Sequence, residues 1–138
     1  MIKKRIAVVL VALGAISLAG CGDSKPSEKD GKEGFDKQYA VSQCAIIKSF
    51  KKTNGANTDF MGAPAYEMYY EAELKLNKTC FVNYSEQGKH LHSKFTVGIP
   101  DWHVNLAEHQ VYHAGDTLLV SDKLYLHNTE NGWVLLEL

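Results

Sequence analysis

The chain has 138 residues and a formal net charge of −1, with no long basic run. Its first twenty residues read as an export signal, and when Lys3, Lys4 and Arg5 leave with it, 118 residues remain with 12 Lys+Arg against 16 Asp+Glu, a charge of −4. That length suits one domain with its own core, and the mildly acidic balance excludes the electrostatic footprint of a nucleic-acid binder.

Lys3-Lys4-Arg5 is a positive start, and Ile6–Ala19 is an apolar run of 14 residues broken only by Gly14 and Ser17. As a helix this run spans about 21 Å, short of a hydrocarbon core of about 30 Å, which is the pattern of a secretory signal and not of a permanent span. Leu18-Ala19-Gly20-Cys21 resembles the lipobox of bacterial lipoproteins. The resemblance implies cleavage after residue 20, a diacylglyceryl group on the Cys21 thiol and acylation of the new amino terminus. Two or three acyl chains anchor a protein stably, so the membrane becomes its first partner. Gly22 follows the cysteine, where Asp would favour inner-membrane retention, so the resemblance implies an outer-membrane lipoprotein facing the periplasm.

Residues 21–34 then read as a flexible tether, because GDSKPSEKDGKEG lacks any apolar period. The globular domain is expected over 35–138. Tyr39, Ile46 and Phe50, at spacings of seven and four, predict a helix over Phe35–Lys52, capped by Asp36 and ended by Asn54-Gly55. A loop is expected over 56–65. Tyr66, Met68, Tyr70, Ala72, Leu74 and Leu76 alternate with polar residues, apart from Tyr69, and predict an antiparallel strand with one wet face.

Further strands are expected over Cys80–Tyr84 and His90–Val97. Residues 102–114 read as a short helix, or as a loop and strand. Thr117–His127 follows as a long strand bulged near Ser121-Asp122, then a hairpin loop over Asn128–Gly132 and a last strand over Trp133–Leu138. The expected class is α+β: one N-terminal helix packed on an antiparallel β-meander. This outline resembles the cystatin-like and NTF2-like folds, and the segment Gly115–Leu138 resembles the closing hairpin of small envelope lipoproteins. Such a resemblance concerns fold and carries no function.

Once Cys21 is lipidated, Cys44 and Cys80 remain as a pair. The oxidising envelope space permits a disulfide between them, with two buried free thiols as the alternative. All six histidines lie between residues 90 and 127. His90-x-His92 on a strand and His109-x-x-x-His113 on a helix would suit zinc or copper if they met. But Gln110 stands where a zinc-protease helix needs Glu, and Lys89 and Lys94 flank the first pair, so they read as polar surface residues, with no metal or cofactor expected.

No nucleophile elbow, phosphate loop or dinucleotide fingerprint is present in the sequence. Glu67, Glu71 and Glu73 share one strand face, where they read as a solubilising row and not as the opposed carboxylates of a glycosidase. Tyr69 stands among them. The expectation is a non-enzymatic binding or assembly module, tethered near the membrane, that takes an envelope protein partner or a small ligand through Tyr69, Glu67 and Glu71 and through a loop at Trp102. The alternative is an envelope hydrolase or metal-dependent enzyme built on the histidine-rich region 90–127.

Overall fold

The computed structural model describes residues 25–98 and 110–137. A helix, α1 (Glu28–Tyr39), leads through a short 3-10 turn at Val41–Gln43 into a chain of strands. These are β1 (Ala45–Phe60), β2 (Ala63–Leu76), β3 (Cys80–Val82), β4 (Tyr84–Ser85), β5 (His90–Leu91), β6 (Thr96–Val97), β7 (Gln110–Tyr112), β8 (Thr117–Thr129) and β9 (Gly132–Leu135). The main sheet has the order β1-β2-β8-β9, all antiparallel, and two small sheets, β6-β3-β7 and β4-β5, stand beside it. The fold is therefore mostly β, which overturns the expected α+β arrangement of a long helix on a meander.

The largest correction concerns Phe35–Lys52. Its second half is not helical but forms β1, a 16-residue strand that continues through the expected 56–65 loop to Phe60. Two irregularities in the pairing with β2, between Ile47 and Ser49 and between Lys52 and Asn54, hide the alternation of a strand, while Tyr39 of α1, the outward Ile46 and the inward Phe50 fall at helical intervals without sharing a face. Ala45, Ile47, Phe50, Lys52, Gly55 and Asn57 face the inward residues of β2, at alternating spacings of two and three. A bulge inserts one unpaired residue and resets the alternation, so a doubly bulged strand loses the period of two that would reveal it. Ile46, assigned to the helical stripe, is 56 % exposed.

The true helix begins inside the segment read as a tether. Ser27 and Asp30 form a reciprocal capping box, Glu28 and Asp30 lie in the first turn, and Ala40 closes the helix in a left-handed conformation. Gly31 and Gly34 weaken helix propensity but let the helix lie close to the sheet. A Cβ at Gly31 would overlap Met68 Sδ and press on Phe50, and one at Gly34 would crowd Leu126. Met68 is fully buried, so its thioether would have to repack within the core. Gly31→Ala is therefore expected to destabilise by about 1–3 kcal/mol through overpacking, despite the better helix former, as a lower denaturant midpoint.

The core lies between α1 and the inner face of the main sheet. Phe35 meets Tyr39, Phe50 and Tyr70, while Tyr66, Met68, Ala72, Leu74 and Leu76 of β2 are all buried. This inward series of β2 follows the sequence expectation. β8 pairs with β2 without interruption from Tyr66↔Leu126 to Lys75↔Thr117, so no bulge occurs at Ser121-Asp122 in this pairing. The expected strand Cys80–Tyr84 divides into β3 and β4, and His90–Val97 divides into β5 and β6, so the meander order is broken. The final hairpin is present as β8 and β9, joined through Glu130-Asn131.

Cys44 and Cys80 form a disulfide with a Cα–Cα distance of 6.1 Å, and both residues are fully buried. Cys44 lies just after the 3-10 turn, not in mid-helix, so the bond ties the entry of β1 to the start of β3. Cys21, its lipobox and Trp102 lie outside the described residues. Among the described residues no helix is long and apolar enough to cross a membrane.

Candidate functional site

Alternation along β2 turns Glu67, Tyr69, Glu71 and Glu73 to the face of the main sheet away from α1. Register supplies their neighbours. Glu67 lies opposite Tyr125 of β8, Tyr69 opposite Lys123, Glu71 opposite Ser121 and Glu73 opposite Leu119. On the other side Glu71 faces Lys51 of β1, and Tyr69 faces Asn54. The predicted trio of Tyr69, Glu67 and Glu71 thus shares one surface, and Lys123, Tyr125 and Lys51 are the partners that sequence reasoning missed.

Glu67, Tyr69, Lys123 and Tyr125 form an interlocked patch. Hydroxyls of Tyr69 and Tyr125 donate to the Glu67 carboxylate, and Lys123 Nζ lies 3.9 Å from Glu67 Oε2. The same ammonium is 5.8 Å from the ring centroids of Tyr69 and Tyr125. Phe60 packs on Tyr125 at 4.8 Å. The Tyr69 hydrogen bond is the main cause that holds the Glu67 carboxyl below its ordinary value of 4.5, with Tyr125 and Lys123 helping and desolvation opposing. The same bond raises the Tyr69 hydroxyl, and the bond to Tyr125 raises Lys123.

Because the folded-state value of Glu67 is depressed, its contribution to stability is present above the ordinary carboxylate value and is lost as pH falls through the folded one. Tyr69→Phe is expected to move the Glu67 titration upward toward 4.5, as read by carboxyl carbon NMR shifts. An unchanged titration would remove Tyr69 as the cause.

Beside this patch an open hollow of about 340 Å³ is lined by Ser49, Lys51, Glu71, Glu73, Lys89, Leu119 and Ser121. A second, of about 390 Å³, reaches Thr53, Tyr69, His90, Asp122 and Lys123. The wall is the turn between β4 and β5, held to the unpaired side of β8. Ser121 N–H donates to Lys89 O, and the Tyr84 hydroxyl donates to Leu119 O. Leu119 is 49 % exposed and Tyr69 40 %, so the surface mixes apolar and charged groups.

The histidines do not converge. His90 and His92 meet ring to ring at 6.3 Å, His113 lies 3.4 Å from the Thr79 hydroxyl, and His127 pairs across to Val134 of β9. His109 lies outside the described residues. Among the described residues no group of three His, Cys, Asp or Glu side chains is placed to hold a metal. His90 Nδ1 stands 3.3 Å from Asp122 Oδ2, without the alignment of a hydrogen bond.

Asp122 itself falls in the inward series of β8, between Val120 and Leu124, opposite Tyr70. Burial, aided by the charge of Asp122, raises the Tyr39 hydroxyl to about 12. Burial raises Tyr70 as well, and its hydroxyl has no hydrogen-bond partner among the described residues. Neither phenol is poised for proton transfer near neutral pH. No known protein family, curated protein or solved structure matches the chain.

Proposed function

We propose that the chain is a lipid-anchored lipoprotein of a bacterial envelope, held through Cys21 in the outer membrane and facing the periplasm, that binds another envelope protein without catalysing a reaction. The carrying observation is the outer face of the main sheet. It gathers the exposed Tyr69 and Leu119, the carboxylates of Glu71 and Glu73 and the ammonium groups of Lys51, Lys89 and Lys123 around open hollows, while α1 packs on the inner face. A small molecule needs most of its surface enclosed, whereas an open, ridged face suits a protein loop or strand. Glu71 and Glu73 line the first hollow together with Lys51 and Lys89, which favours a segment that carries both signs of charge. Tyr69, already held in place by Glu67, is the natural anchor, because ordered aromatic side chains dominate such interfaces.

The test is crosslinking in the native envelope followed by mass spectrometry. A specific partner is expected, with its affinity lowered about 30-fold by Tyr69→Ala, a cost of about 2 kcal/mol, and by charge reversal in Glu71→Lys, both without a change in melting. Trp102→Ala tests the second expected contact in the same way. Absence of a partner, together with turnover of an envelope polymer abolished by His90→Ala, would replace this reading with the enzymatic one.

A further inference from the structure

The β1–β2 hairpin ends in a surface that its turn chemistry does not explain. Met61 and Gly62 form the two-residue turn with φ of 50° and 84°. Both values are left-handed, the geometry that Asn-Gly serves best. Methionine there is strained, and it is 89 % exposed. Its neighbours are also apolar: Phe60, Ala63, Pro64 and Ala65 complete an uncharged run, with Ala63 and Pro64 exposed. A turn that needs only a polar residue instead holds a large apolar one outward.

The position of this tip relative to the amino terminus gives it a partner. Pro26 O accepts from Lys52 Nζ, and that ammonium lies 4.8 Å from the Tyr66 ring centroid. Tyr66 is three residues from Ala63 along β2, about 10 Å from the turn. Lys52 itself pairs with Tyr70 in mid-sheet, and its amide donates to the Glu28 carboxylate, so the chain enters the fold between mid-sheet and the level of Tyr66, on the tip half of the sheet. From Cys21 to Pro26 is five residue steps, about 17 Å at full stretch, the span from the level of Tyr66 to that of Met61, so an extended segment sets Cys21 at the tip. The opposite end of the sheet, at Leu76 and the Gly115 turn, is about 43 Å away along β2. The β8–β9 turn, Glu130-Asn131, reaches the same end as Met61 and is polar, as suits the headgroup layer.

We propose that the Phe60–Ala65 turn is a second membrane contact, which dips Met61 into the leaflet that holds the lipid on Cys21. The proposal rests on the lipidation put forward above. One anchored end and one apolar tip would fix the tilt of the domain and present the outer sheet face sideways to a partner.

The full lipidated chain, reconstituted in phosphatidylethanolamine/phosphatidylglycerol vesicles, provides the test. With Cys21 acylated and Cys44 bonded to Cys80, a cysteine introduced by Met61→Cys or Ala63→Cys is the free thiol for a nitrobenzoxadiazole probe. Quenching by doxyl lipid is expected to halve the emission at either position and to leave a probe at Ala114→Cys, at the far end, unchanged. Adding Met61→Asn to the Ala63→Cys chain, which suits the turn better, is expected to abolish the quenching without loss of stability. A tip probe that stays unquenched on vesicles that carry the floated protein overturns the tip contact and leaves the anchor standing. A protein that does not float with the vesicles overturns both. Protein crosslinks in place of lipid crosslinks from a photoreactive residue 61 in native membranes would assign the tip to a protein partner and overturn the proposal.

Discussion

Replacing both Cys44 and Cys80 by alanine is expected to lower stability by about 4 kcal/mol, from the chain entropy released when a link across 36 positions is removed. The bond does more than shorten the unfolded chain. It joins the entry of β1 to β3, and β3 is the centre of the small β6-β3-β7 sheet. That sheet is built from strands of two or three residues and has little pairing of its own. Hydrogen exchange of Cys80–Val82 should therefore accelerate before that of β2. Denaturant midpoints of the oxidised protein and the double variant decide the size of the effect, and equal midpoints would show that the bond carries no stability.

Phe35→Ala is expected to cost about 3–5 kcal/mol, the range for emptying a buried aromatic site. Phe35 is fully buried, with ring centroids of Tyr39, Tyr70 and Phe50 at 5.6, 5.0 and 5.9 Å. It stands in mid-helix and is the main grip of α1 on the sheet. Gly31 and Gly34 on the same face bring the backbone close but add no side chain of their own. Lys29→Ala, on the exposed face of the helix, should change stability by about 0.5 kcal/mol or less. A small effect at Phe35 would mean that α1 is dispensable to the sheet.

Legibility in the sequence followed the reach of the interactions. The alternation of β2 is local, and each of its expected inward residues is buried. The β8–β9 hairpin was legible for the same reason, with Gly132 just before Trp133. β1 was not, because two bulges replaced a period of two by spacings of two and three, and Tyr39, Ile46 and Phe50 happened to fall at helical intervals. α1 was hidden by composition: EKDGKEG looks like a linker, and the signal that could have found it was Ser27 with Asp30 three residues on, a capping box. Tyr69, Glu67 and Glu71 could be placed on one face from alternation alone. Their partners Lys123, Tyr125 and Lys51 depend on strand register between distant segments, which no local pattern encodes. The outward series Leu119, Ser121, Lys123 and Tyr125 was nonetheless available as a hint that β8 turned a mixed face to water.

The placement of β1 at the end of the main sheet has a consequence for solubility. An outermost strand of 16 residues offers its backbone to any unpaired strand from a neighbouring molecule, the first step toward an extended intermolecular ribbon. Here the template is spoiled along its length. The Glu28 carboxylate already accepts the Lys52 amide, Lys48, Lys51 and Lys52 repel a second copy, and the two register shifts prevent a regular ladder. The longest unbroken stretch, Asn54–Phe60, carries Asn54, Gly55, Asn57 and Asp59, residues poorly suited to β pairing. The same irregularities that hid the alternation of this strand thus make it a poor template for a second copy.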